Sequence, residues 1–125
     1  MASLHEIVID CEHAPSLARF WAAALDGYEI RPYDDAEIAE LAAKGLTPET
    51  DPVVMLDGPG PVVCCQQVPE PKVAKNRVHV DVMSADRRAE VDGLVGLGAS
   101  VAHEFDGWTL MQDPEGNEFC VTDSR

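Results

Sequence analysis

Positive charge is scarce in this chain. Nine lysines and arginines stand against twenty-three aspartates and glutamates, a net charge of −14. A polyanion would be repelled by most of such a surface, which sets nucleic-acid binding aside. Long apolar runs are also missing. No stretch approaches the ~20 residues that a membrane-spanning helix needs, so no membrane partner is expected. The start Met1-Ala2-Ser3-Leu4-His5-Glu6 has neither a basic cluster nor an apolar segment of signal length, which leads to the expectation of a cytoplasmic protein. The four cysteines (Cys11, Cys64, Cys65 and Cys120) include no Cys-x-x-Cys pair, and two are adjacent. That suits neither a zinc knuckle nor a disulfide framework; small buried apolar residues are the simplest reading. Aromatics are only 6%, so few large side chains exist to plug a cavity.

What is present is ordinary for a folded domain: 125 residues, 46% hydrophobic and 26% charged, enough for one real core. Ile7 and Ile9 alternate with Glu6, Val8 and Asp10, which predicts a strand from Leu4 to Cys11. His13-Ala14-Pro15 breaks it, and Leu17, Phe20, Trp21, Ala24 and Leu25 then recur at helical spacing until Asp26-Gly27. Tyr28 to Arg31 reads as a short strand. Residues 34 to 50 are acidic and alanine-rich and read as a short helix or an ordered loop. Pro52 to Leu56 and Pro61 to Val68 flank Asp57-Gly58-Pro59-Gly60, a hairpin pattern.

Beyond Pro69-Glu70-Pro71 the pattern starts again. Val78, Val80 and Val82 alternate with His79, Asp81 and Met83 in a strand expected over Arg77 to Met83. Asp86 can cap a helix carrying Val91, Leu94, Val95 and Leu97, and Gly98 can end it. Ser100 to His103 is a further strand. Trp108 to Gln112 and Glu118 to Thr122 form a last hairpin about Asp113-Pro114-Glu115-Gly116-Asn117. Setting Glu6 against His79, an offset of 73, also sets His13 against Asp86 at the two helix starts. The chain therefore reads as an internal repeat, with module one at about 1–68, a connection at 69–76 and module two at about 77–125.

Three segments carry a resemblance. Ile9 through Asp10-Cys11-Glu12-His13 to Leu17-Ala18-Arg19-Phe20-Trp21, then Val68-Pro69-Glu70-Pro71-Lys72 with Lys75-Asn76-Arg77-Val78-His79-Val80-Asp81, and finally Asp113 to Cys120, together resemble actinobacterial-type glyoxalase-like domains of the vicinal oxygen chelate superfamily. Only residues 34 to 60 lack a counterpart. The resemblance implies an α+β fold of two βαβββ modules, whose curled mixed sheets form a cleft with the helices packed outside.

Metal-dependent members of that superfamily place ligands on the first and last strands of each module. Carried over, those positions are Glu6, Gln66, His79 and Cys120. His79 matches the family pattern, whereas Cys120 stands where a glutamate is usual. A thiol in place of a hard carboxylate disfavours Mg²⁺, Mn²⁺ or Ni²⁺ and shifts the set toward zinc or iron. The resemblance thus leaves two alternatives open, no cofactor at all or a divalent metal (zinc, iron, manganese or nickel), with the site degenerate at Gln66 and Cys120. Asp10 and Asp81 share strand faces with Glu6 and His79 and are candidate cleft residues, as is Trp108 in the last hairpin. Lys72, Lys75 and Arg77 hold three of the nine positive charges. They suit either attraction of an anionic group or pairing with the excess carboxylates.

Two functions of different class follow. The first is a small-molecule-binding module without chemistry. The second is a metal-dependent lyase, isomerase or dioxygenase acting on an oxygen-rich substrate, with Glu6 as base. A third class, a regulatory domain whose cleft is filled by its own side chains, suffers from the shortage of aromatics. The open edges of curled sheets lead to the expectation of a homodimer.

Overall fold

The computed structural model describes residues 1–124. The elements run β1 (Glu6–Cys11), α1 (Ala14–Ala24), β2 (Glu29–Ile30), α2 (Asp35–Ala43), β3 (Val53–Asp57), β4 (Val62–Gln67), β5 (Val80–Ser84), α3 (Arg87–Gly96), β6 (Ser100–Phe105), β7 (Trp108–Gln112) and β8 (Glu118–Asp123). They form two compact units, the first ending at Pro71 and the second beginning at Lys72. Each holds a four-stranded mixed sheet, ordered β1-β4-β3-β2 in the first and β5-β8-β7-β6 in the second. The α+β class and the βαβββ repeat are thus present, with α2 inserted between the second and third strands of the first unit.

In the first unit, β1 runs parallel to β4, and β3 and β4 form an antiparallel hairpin. Alternation puts Val54, Leu56, Val63 and Cys65 on one face of the sheet, all buried, together with Leu17, Ala18, Phe20 and Trp21 of α1. That is the core of the unit. Helix α1 starts where His13 leaves the strand: its imidazole Nδ1 accepts the Ser16 amide at 3.3 Å, and proline fills the first turn. Helix α2 is capped by Asp34, whose carboxylate accepts the Glu37 amide at 2.8 Å, but it buries nothing. The 57–60 turn is shaped by Tyr28. Its hydroxyl donates to the Pro61 carbonyl at 2.8 Å, and a Cβ on Gly58 would lie 2.5 Å from the Tyr28 ring.

The second unit repeats this plan. Strand β5 runs parallel to β8, and β7 joins β8 and β6 antiparallel. Thr109, Met111, Phe119 and Val121 face α3, which contributes Val91 and Leu94. Two expectations need correction. Val95 and Leu97 are each 47% exposed: Val95 sits a further 100° round the helix from Leu94, and Leu97 is already the C-cap. The first strand begins at Val80 rather than Arg77. Over residues 72–79 the backbone is held by a side chain instead of a ladder, since the Asn76 amide donates to the Glu118 carboxylate at 3.1 Å. Val78 accordingly lies 79% exposed. Asp113 organises the last turn. Buried at 3% exposure, its carboxylate accepts from the Glu115 amide (2.9 Å), the Asn117 amide (3.0 Å) and Asn117 Nδ2 (3.1 Å).

The two helix starts, His13 and Asp86, are equivalent caps at an offset of 73. The ladders extend the equivalence: Val8 faces Cys64 in one unit as Asp81 faces Cys120 in the other.

Candidate functional site

A sheet covered by a helix on one side leaves its other side to do something else. In the second unit that free face carries the chemistry. His79, Asp81 and Met83 alternate along one edge. Glu118, Cys120 and Thr122 follow on β8, Trp108, Leu110 and Gln112 on β7, and Phe105 on β6. A pocket of about 650 Å³ opens over this face, its lining including Lys75, His79, Asp81, Phe105, Trp108, Leu110, Glu118 and Cys120. Its size suits a small molecule.

The wall is of two kinds. At the β6–β7 end, Phe105 and Trp108 stack with ring centroids 4.6 Å apart and planes 14° from parallel. His103 packs on Phe105 at 4.4 Å. Both stacked rings remain about two-fifths exposed (Phe105 40%, Trp108 41%), so this is a platform and not a core cluster. At the β5–β8 end, His79 Nε2 lies 3.2 Å from Asp81 Oδ1, and Cys120 is buried behind them. The ligand atoms of these three residues all lie within 4.8 Å of one another. Burial pushes the Cys120 thiol pKa up, and the neighbouring Asp81 carboxylate, which accepts its proton in a hydrogen bond, pushes it further; the Lys75 ammonium works the other way.

Of the residues singled out from the sequence, His79, Cys120, Asp81 and Trp108 thus meet on one face. Glu6, Asp10 and Gln66 lie in the first unit, on the helix-free face of its sheet. There the register separates them, because Gln66 faces Asp10 whereas Glu6 faces Val62. Those rungs are four residue steps, about 13 Å, apart, so Glu6 and Gln66 do not share a coordination point. The place in unit one that corresponds to Cys120 belongs to Cys64, not to Gln66. Burial raises the Cys64 thiol pKa, with Glu6 the next contributor, so Glu6 and Cys64 mirror His79 and Cys120. Val8 occupies the place of Asp81, and the first unit therefore lacks the bridging carboxylate.

Several residues of these two helix-free faces escaped the sequence reading. Phe105 was missed because the strand was expected to stop at His103. Glu118 was legible in principle: it alternates with Cys120 and Thr122 just after the turn. Cys64 was hidden by the adjacent cysteine pair, since only the ladder register shows which of the two turns away from the helix.

A family model described as a glyoxalase-like domain matches residues 6–122. The chain belongs to this family. Three solved structures show the same fold at low identity. The fosfomycin resistance protein FosX from Mesorhizobium loti is 13% identical, with 100% of this chain and 94% of that one covered and a TM-score of 0.68. A glyoxalase/bleomycin resistance protein/dioxygenase family enzyme from Burkholderia phytofirmans PsJN is 15% identical, with 98% of each chain covered and a TM-score of 0.63. TioX from Micromonospora sp. ML1 is 17% identical, again with 98% of each covered, at 0.58. Comparison with curated proteins gives no match. No helix among the described residues is long and apolar enough to cross a membrane.

The family implies a divalent metal, and the donor set of this chain can be tested against one. Ligand atoms around tetrahedral zinc lie roughly 3.3–3.8 Å apart for bond lengths of about 2.0–2.3 Å. The His79, Asp81 and Cys120 ligand atoms lie within 4.8 Å of one another, so they would have to draw together to hold one ion. An imidazole, a carboxylate and a thiol suit zinc; they do not suit Mg²⁺ or Mn²⁺, which prefer oxygen.

Proposed function

We propose that this glyoxalase-like protein binds a small, partly aromatic molecule on the helix-free face of its second unit. The observation that carries the reading is the exposed Phe105–Trp108 stack at one end of a 650 Å³ pocket whose other end is polar. Solvent-exposed stacked rings leave apolar area in water, and a flat ligand that covers them recovers it at about 25 cal/mol per Å². Asp81 Oδ1 already lies 3.2 Å from His79 Nε2 and beside the Cys120 thiol, so the carboxylate has polar neighbours without an ion. Binding without chemistry is therefore the leading reading. The solved relatives named for resistance to fosfomycin and bleomycin are consistent with a small-molecule role for this one.

The test is a thermal-shift screen of bicyclic aromatic compounds against the wild type and Trp108→Ala. Hits that raise the melting temperature of the wild type and not of the variant support the reading. Hits unaffected by Trp108→Ala and by Phe105→Ala contradict it.

The trio within 4.8 Å favours a second reading, a zinc centre held by His79, Asp81 and Cys120. Bound there, zinc would act as a Lewis acid toward a substrate oxygen. His79 and Cys120 would supply nitrogen and sulfur, and Asp81 would exchange its present contacts with them for the metal. Metal content after dialysis against zinc decides it. One equivalent retained by the wild type and lost in His79→Ala and Cys120→Ser supports the centre; equal retention in all three excludes it.

We further propose that the chain forms a homodimer. Strand β6 is a fully exposed sheet edge, which is a ready surface for pairing.

A further inference from the structure

The basic cluster Lys72, Lys75 and Arg77 divides in the structure. Lys72 is spent on architecture: its ammonium sits 3.2 Å from the Glu118 carboxylate and also donates to the Ala74 carbonyl. The same carboxylate accepts the Asn76 amide at 3.1 Å. Burial works against ionisation of Glu118, yet the Asn76 amide and Lys72 together hold its pKa below the usual range. One carboxylate thereby fastens a strap, residues 72–79, along the start of β8. Two residues of that strap line the pocket, Lys75 and His79.

Among the described residues, Lys75 is the one lysine or arginine in the pocket lining, and it differs from the paired cations nearby. Arg87, at the start of α3, is tied to Asp123 at 2.9 Å. His79 is tied to Asp81, and Lys72 to Glu118. Lys75 is the exception: among the described residues it has no carboxylate within ion-pair distance, and its ammonium donates only to the Asn76 carbonyl, at 3.3 Å. Its charge nevertheless reaches the site, since it pulls on the Cys120 thiol. Lys44, Arg77 and Arg88 are likewise without an ion pair among the described residues, but none of them lines the pocket. Long-range repulsion of an anion by the chain's net charge of −14 is screened over about 8 Å at physiological salt, whereas a direct contact is not.

We propose that Lys75, delivered by the Glu118-latched strap, selects ligands that carry an acidic group, so that the pocket takes aromatic acids. This rests on the binding reading above. The ring covers Phe105 and Trp108, and the carboxylate or comparable anion meets Lys75. Glu118 is a positioning residue, acting through the strap and not on the ligand.

The experiment compares 2-naphthoate with its uncharged amide, 2-naphthamide, each titrated into the full chain. Affinity is read from the Trp108 indole ¹⁵N–¹H cross-peak. The acid should bind about tenfold more tightly, the size of one charge-assisted hydrogen bond at a partly exposed site. Lys75→Met should bring the acid down to the affinity of the amide and leave the amide unchanged, and Lys75→Arg should restore the difference. Glu118→Ala should shrink the acid-to-amide ratio, an effect that general destabilisation, which weakens both compounds alike, would not produce. Equal binding of acid and amide to the wild type, or a ratio untouched by Lys75→Met, overturns the assignment of Lys75 while leaving the pocket intact. No titration by either compound at millimolar concentration overturns the pocket reading and this one with it.

Discussion

Replacing Asp113 by alanine gives the sharpest test of how the last hairpin is built. Its carboxylate is 3% exposed and accepts three N–H groups, two from the backbone at 2.9 and 3.0 Å and one from the Asn117 amide at 3.1 Å. Hydrogen bonds to an ionised acceptor contribute about 1.5–3 kcal/mol each, and bonds that share one acceptor add less than their sum. Glu115 and Asn117 are themselves half-exposed, so water can satisfy part of what alanine leaves open. The expected loss is therefore about 3 kcal/mol. At an unfolding entropy of about 2.1 cal/mol/K per residue, that corresponds to a fall in Tm of about 11 °C for a cooperative chain of this length. Differential scanning calorimetry reads it directly. Asp113→Asn, which keeps an acceptor, should lose roughly half as much. A fall below 3 °C for the alanine variant would refute the claim that this carboxylate organises the turn.

Four further outcomes follow. Gly58→Ala places a Cβ 2.5 Å from the Tyr28 ring and should cost about 1–3 kcal/mol, partly recovered in the double variant with Tyr28→Ala; urea melts measure both. Cys120 should resist iodoacetamide at neutral pH, because burial and then Asp81 raise its thiol pKa, and Asp81→Asn should speed its alkylation as read by mass spectrometry. Cys64 and Cys120 both hold their protons more tightly in the fold than the ordinary thiol value of 9.0. The unfolded chain therefore loses those protons first, and stability should decline as pH climbs past 9; Cys64→Ala with Cys120→Ala should flatten that decline. Light scattering should give twice the 13.5 kDa monomer mass at micromolar concentration, and a monomer there would exclude the dimer.

The repeat was legible in the sequence because it rests on local chemistry. Alternation at Ile7 and Ile9, the helical stripe through Leu17 and Trp21, and the Asp113-to-Asn117 turn each specify their own element. Even the offset of 73 that pairs Glu6 with His79 holds in the ladders. What was not legible depended on partners far along the chain. Gln66 was carried over, and Cys64 read only as a small buried residue, because the irregular stretch before β4 hides the register, and a slip of two residues keeps the same face. The strand over Arg77 to Met83 was drawn too long, since alternation there cannot show that Glu118, over forty residues later, takes the Asn76 amide. Phe105 joined the site only when β6 proved to run past His103.

The central claim is that the helix-free face of the second unit is a binding surface. The two tryptophans of the chain provide a direct measurement, because Trp108 is 41% exposed on that face and Trp21 is 2% exposed in the core of the first unit. A ¹⁵N–¹H spectrum recorded during titration with 2-naphthoate resolves both indole signals. The structure predicts that the Trp108 signal moves and saturates while the Trp21 signal stays still. A stationary Trp108 signal, with the ligand bound elsewhere or not at all, would contradict it.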